Sequence, residues 1–196
     1  MIDFVKLQKN KQLYKEEMVL CIPSFEEDID KDFIEFKGKD PNHLSDTYGK
    51  YIKRYKVEGD IGMYQLIPYL VVINRKGEIL THISKKNNKV ALGFSIHITP
   101  EIGGHNKATF KACTHLAMYA IGKSIENSPI VLDGYIKTHT ETTKGHLGML
   151  YFLHADKINV KEDENFIYKF KTKEDLFENY YDKMEDWAKI TLGRLY

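Results

Sequence analysis

Hydrophobic side chains are densest between residues 65 and 98, where they fall in short runs separated by turn-forming residues. Residues 65–74 and 79–84 are rich in β-branched and aromatic side chains and flank Arg75, Lys76, Gly77 and Glu78, which predicts a hairpin. Residues 90–98 predict a third strand. Phe94, Ile96 and Ile98 alternate there with Ser95 and His97, so His97 belongs on the face opposite the isoleucines. Upstream, residues 16–23 read as a short strand ended by Pro23, since proline cannot donate to a sheet ladder. The period then changes. From 107 to 123, Phe110, Cys113, Leu116, Ala117, Ala120 and Ile121 form one apolar helical stripe, and Gly122 is placed to end the helix. Further strands are expected at 130–138, 148–156 and 165–170. Thr172 followed by Glu174 and Asp175 resembles a capping box that opens an amphipathic helix through Leu176, Tyr180, Met184, Trp187, Thr191 and Leu195, with Trp187 as a core anchor. Residues 24–60 are charged with scattered aromatics and predict one or two helices and loops. The pattern describes an α/β fold in which residues 1–60 are an N-terminal elaboration packed on the same domain as residues 61–196.

Composition narrows this picture only a little. The chain of 196 residues is 42% hydrophobic and 29% charged with a net charge of +1, the profile of a globular protein with no global basic footprint for nucleic acid. Cys21 and Cys113 sit far apart and read as thiols of an intracellular protein rather than a disulfide. No stretch has the apolar core of a signal peptide or the roughly 20 apolar residues of a membrane span. A cytoplasmic protein without a membrane partner is expected, and a homo-oligomer is compatible with the sequence.

Five segments in order carry a resemblance: residues 17–23, 64–72, 94–98 with Gly103, Gly104 and His105, 145–152 and 185–192. Together they resemble a branch of the Nudix superfamily described as phosphoesterases. The resemblance implies a Nudix-like α/β/α sandwich around a mixed sheet. It also implies hydrolysis of a nucleoside diphosphate linked to another group, with Mg²⁺ or Mn²⁺ held by glutamates on one helix. The box of that family reads Gly, five residues, Glu, seven residues, then Arg-Glu-apolar-any-Glu-Glu. Aligned on residues 114–119, His115 takes the first glutamate of that segment, Met118 and Tyr119 the metal-binding pair, and Asn106 the isolated glutamate. Glu101 is the only acidic side chain between Gly93 and Ile125. Such a box is degenerate.

The residues present favour a different chemistry. Lys107, Lys111, His115 and Tyr119 recur every four positions and form one helical stripe of donors. Donors bind phosphate directly, whereas a carboxylate stripe needs a metal to reach it. Lys85, Lys86, His97, Gly104, His105, His139 and His146 are added as candidate ligand contacts, His105 and His146 also because similar proteins carry histidine there. The first reading is therefore a protein that binds, and thereby sequesters or senses, a nucleotide or nucleotide-derived phosphate, with no metal and no cofactor. An active hydrolase using Glu101 and Glu141 from loops, with Mg²⁺ or Mn²⁺, is the second. A protein-interaction module with a vestigial pocket is the third. A transition-metal site from His105, His115, His139 and Glu141 is a rival use of the histidines. Cys113 on the apolar stripe reads as a buried, inert thiol.

Overall fold

The computed structural model describes residues 12–25, 32–38, 40, 42–60, 62–122, 130–138, 140, 143–162 and 164–195. After helical residues 12–14 come β1 (Met18–Pro23), β2 (Phe33–Glu35), α1 (His43–Tyr48), β3 (Lys50–Lys53) and α2 (Arg54–Val57). The central part holds β4 (Met63–Ile73), β5 (Ile79–Ser84), β6 (Val90–Ala91), β7 (Gly93–Ser95), α3 (Pro100–Gly103) and α4 (Ala108–Ile121). It closes with β8 (Ile130–Ile136), β9 (His146–His154), β10 (Phe166–Lys171), α5 (Lys173–Asp175) and α6 (Asp186–Arg194).

Among the described residues ten strands form one sheet, in the order β10-β5-β4-β9-β8-β2, with β1, β3, β6 and β7 attached to its flank. Strand β4 is the spine. It runs parallel to β9 from Gln65 opposite His146 to Ile73 opposite His154. Its other edge is shared along its length by β1 at Met63–Gln65, β7 at Tyr69–Val71 and β5 at Ile73, all antiparallel. The expected hairpin therefore exists, but β5 leaves β4 after one pair and spends its length against β10.

Alternation along the spine loads both faces. Leu66, Leu70, Leu147 and Met149 point to one side and meet Ala112, Cys113, Leu116, Ala117 and Ala120 of α4. Ile67, Tyr69, Val71 and Leu150 point to the other and meet Trp187, Ala188 and Leu192 of α6. The result is an α/β/α sandwich around a mixed sheet: the hydrophobic pattern predicted the α/β class, and the resemblance implied the three layers. Cys21 and Cys113 are both buried and free. Burial, aided by Asp60, pushes the Cys21 thiol up to about 12, and burial alone raises Cys113 strongly, so both are inert thiols. No helix among the described residues is long and apolar enough to cross a membrane.

Three expectations are corrected by packing. The single strand over 90–98 is two short pieces: β6 pairs with β5, β7 pairs with β4, and the change of partner falls at Leu92. Ile96 to Ile98 lies beyond the strand, yet Ile98 still enters the α4-side core and His97 still points away from it. The C-terminal helix is also broken. Thr172 caps its start by accepting the Asp175 amide at 3.1 Å, but a π turn over Leu176–Tyr180 and a 3-10 turn over Tyr181–Lys183 follow. Met184 then becomes extended, bridges Val90 and buries its side chain, while Glu185 N–H donates to the Val90 carbonyl. A continuous helix would leave that β6 edge unpaired. Finally, residues 24–60 contain strands as well as helices, because β2 pairs with β8 and β3 with β1, pairings that local propensity does not reveal.

Trp187 is 9% exposed and meets the Tyr69 ring edge-on with centroids 5.5 Å apart. It joins α6 to the spine. Replacement Trp187→Ala is expected to cost about 3–5 kcal/mol of stability in chemical denaturation; a loss below about 1 kcal/mol would mean that α6 does not close this face.

Candidate functional site

The α4 end of the sandwich is built by a tight approach of three segments. Thr99 leads into α3, and the chain then reverses at Gly103 and Gly104. A Cβ on Gly103 would overlap the Tyr51 hydroxyl and the Ile98 side chain. Gly104 has φ 62° and ψ −147°, a conformation open to glycine alone, and its carbonyl accepts the Tyr51 hydroxyl at 2.8 Å. Lys107 follows with φ 53°, left-handed and not glycine, so some strain is held there. What holds it is α1. Asp46 accepts the Lys107 amide at 3.0 Å, and Asn42 accepts both the Thr109 hydroxyl at 2.7 Å and the Phe110 amide at 3.1 Å. The amino end of α4 is thus capped from the first sixty residues, which satisfies amides that its own side chains leave open.

The predicted stripe lies on the outer face of α4. Lys107, Lys111, His115 and Tyr119 are all exposed, and the Lys111 ammonium comes 3.1 Å from where a Gly104 Cβ would stand. At the far end the Tyr119 ring meets Phe94 edge-on at 5.7 Å, and Phe94 in turn packs on His82 and Tyr168. His105 is exposed in the loop between Gly104 and α4. Lys85 and Lys86 sit in the β5–β6 turn, where Lys85 pairs with Glu162 at 2.7 Å. His139 and Glu141 lie outside the described residues.

His97 and His146 belong elsewhere. Their neighbours Ile98 and Leu147 point into the α4-side core, so the two imidazoles project to the opposite face, where their ring centroids are 5.5 Å apart. The sheet separates this pair from the donor stripe. Around it stand Glu58, Arg54 and Gln65: Arg54 Nε donates to Glu58 at 2.9 Å and Nη1 to Glu17 at 3.2 Å, and Gln65 Nε2 donates to Glu58 at 3.4 Å. Burial works against the Glu58 charge, but the Arg54 guanidinium overcomes it and holds that carboxyl below its ordinary range. His97 Nε2, His146 Nδ1 and Gln65 Oε1 are buried without a hydrogen-bond partner.

Several residues here escaped the sequence reading. Asn42 and Asp46 carried only the generic look of a helix start, and Arg54 with Glu58 the generic i, i+4 ion pair. Lys137 gave no signal at all; it is 3% exposed on the same face as Tyr135, its ammonium 5.8 Å above the Tyr64 ring.

The divalent-metal set implied by the resemblance does not fit these residues. α4 carries no carboxylate, and among the described residues no three His, Cys, Asp or Glu side chains stand close enough to hold a metal ion. Glu101 is exposed, and hydrogen bonds from the Thr99 side chain and its own backbone amide hold its carboxyl below the ordinary range, which makes it a weak base.

No family model matches this sequence, and no curated protein sequence matches it. Solved structures do. Tm1382, described as a candidate Nudix hydrolase, superposes with a TM-score of 0.72 at 23% identity over 91% of this chain and 98% of that one. The MutT protein from Methanosarcina mazei Go1 superposes with a TM-score of 0.50 at 13% identity over 67% of this chain and 92% of that one. The chain has the fold of the Nudix hydrolases.

Burial lowers the pKa of His97 to about 4, lowers His146, and lowers His82 to about 3. Unfolded, each titrates near 6.5. Above that pH both states are neutral and nothing is lost. As pH falls from about 6.5 toward about 4 the unfolded chain takes protons that the folded chain refuses, so stability declines. The slope approaches about 1.4 kcal/mol per pH unit for each histidine. A His97→Gln/His146→Gln variant should flatten the decline of stability between pH 6.5 and 4.5; an unchanged slope would place the acid sensitivity elsewhere.

Proposed function

We propose that this protein binds a nucleotide or nucleotide-derived phosphate directly through α4, and holds it without a bridging metal. The observation that carries the reading is the exposed stripe Lys107, Lys111, His115 and Tyr119 on the helix that the sequence resemblance aligns with the carboxylate box. Ammonium and imidazole groups supply charge-assisted hydrogen bonds to phosphate oxygens. The turn at Gly103 and Gly104 supports the same reading, because it leaves backbone bare beneath the Lys111 ammonium. Strain at Lys107, fixed by Asp46, is consistent with a position that is built rather than incidental.

The absence of a metal-binding carboxylate set on α4 weighs against hydrolysis, as does the low basicity of Glu101. A protein of this kind serves by sequestering or sensing its ligand. Its ligand set is the stripe with His105 and Gly104; His97 and His146 act on the other face of the sheet, through stability rather than contact.

Binding of a nucleotide panel measured by calorimetry in EDTA tests this. Affinity should persist in EDTA and weaken about tenfold or more in Lys111→Ala, the worth of one charge-assisted contact. Binding that requires Mg²⁺ or Mn²⁺, or turnover of any nucleotide with Mn²⁺, sinks the metal-free reading.

A further inference from the structure

On the face of the sheet away from α4, three polar atoms are buried close to one another without a hydrogen-bond partner: His97 Nε2, His146 Nδ1 and Gln65 Oε1. Buried polar atoms are almost always satisfied, so three such atoms in one place mark a site. Strand register puts them there. Gln65 of β4 lies directly opposite His146 of β9, and the two side chains share one face of adjacent strands. His97 arrives from the loop after β7 and brings its ring to 5.5 Å from the His146 ring, with the planes 72° apart. Gln65 is fully buried and His146 is 7% exposed. His97 is half-buried and forms the open side of the cluster.

The orientation of Gln65 is fixed from outside. Its Nε2 donates to Glu58 at 3.4 Å, so its Oε1 is turned the other way and offers lone pairs. Glu58 in turn accepts from Arg54 Nε at 2.9 Å, and Arg54 Nη1 reaches Glu17 at 3.2 Å. The guanidinium is thus turned to carboxylates. Two carboxylates against one guanidinium leave a negative excess beside the imidazoles, which favours a cation. Each imidazole presents a lone pair at its unbonded nitrogen when the other nitrogen keeps the proton. The spacing fits as well. Two imidazoles on one tetrahedral ion, with metal–nitrogen bonds of about 2.0–2.1 Å, hold their ring centroids about 5 Å apart.

We infer that His97, His146 and Gln65 form a site for one transition-metal cation of the class that imidazole prefers, Zn²⁺, Co²⁺, Ni²⁺ or Cu²⁺. The third donor is an amide oxygen, and no carboxylate binds the ion. Glu58 acts from outside the ligand set, by orienting Gln65 and supplying charge. The half-buried side at His97 gives the ion its entry and leaves a fourth position to solvent. The sheet separates this site from the α4 stripe, and it stands whether or not α4 binds a phosphate.

Protein without a histidine tag, stripped with EDTA and dialysed, is titrated with Co²⁺ by visible absorption and with Zn²⁺ by calorimetry. Expected is one ion per chain, a Co²⁺ band of low coordination number that Zn²⁺ abolishes, and a thermal midpoint raised by Zn²⁺. His97→Gln and His146→Gln should each weaken binding by about a hundredfold or more, beyond what loss of an outer partner does. Gln65→Leu should weaken it about tenfold. Should one variant fail to fold, the other two carry the test. Absence of stoichiometric binding overturns the inference and leaves the three atoms to an ordered water. Binding that survives in the folded variants, or that is lost instead in His115→Gln, overturns it by placing the ion elsewhere.

Discussion

β4 is eleven residues long and its nine inner positions are all buried, so it must find partners along both edges and cover on both faces. One edge is met by β9 in an unbroken parallel run, and the other by three short segments in turn. Most of the remaining architecture follows. β7 must leave β4 early to make room for β1, and the chain released after Ser95 becomes the loop that turns at Gly103 and Gly104 into α4. β1 in turn brings the first sixty residues to that end of the molecule, where α1 caps α4.

The sheet also divides the chemistry. Outer donors on α4 face solvent on one side, and on the other His146 is buried beside the half-buried His97, Arg54 and Glu58. The two groups meet different physical demands. An exposed ammonium has donors free to turn to a phosphate, while an imidazole whose pKa burial lowers contributes a dependence of stability on pH. Listing His97 and His146 with His105 and His115 as ligand contacts joined side chains that the sheet holds apart.

Where local pattern and tertiary demand agreed, sequence was a reliable guide. The apolar period of α4 from Cys113 onward, its end at left-handed Gly122, the Thr172 cap and the burial of Trp187 and Cys113 were legible, whereas Phe110, expected on the same stripe, is exposed. Where a long-range partner decided, it was not. Met184 leaves the helix because the edge of β6 at Val90, far away in sequence, offers a backbone pairing, and β5 deserts its hairpin partner for β10. Both outcomes depend on residues that no local window contains.

What the sequence determined by itself is periodicity and inventory: two-residue alternation made strands buried on chosen faces, the helical period made α4, and the absence of acids on that helix removed the means of holding a divalent metal there. Tertiary structure alone decided which charged groups share a surface and which are walled off, that Asn42 and Asp46 close the start of α4, and that Phe25, Phe36, Leu44 and Tyr135 meet around one cavity. The reason is physical. Periodicity acts through neighbours a few residues apart, whereas burial, capping and concavity are properties of segments brought together by the pairing of distant strands.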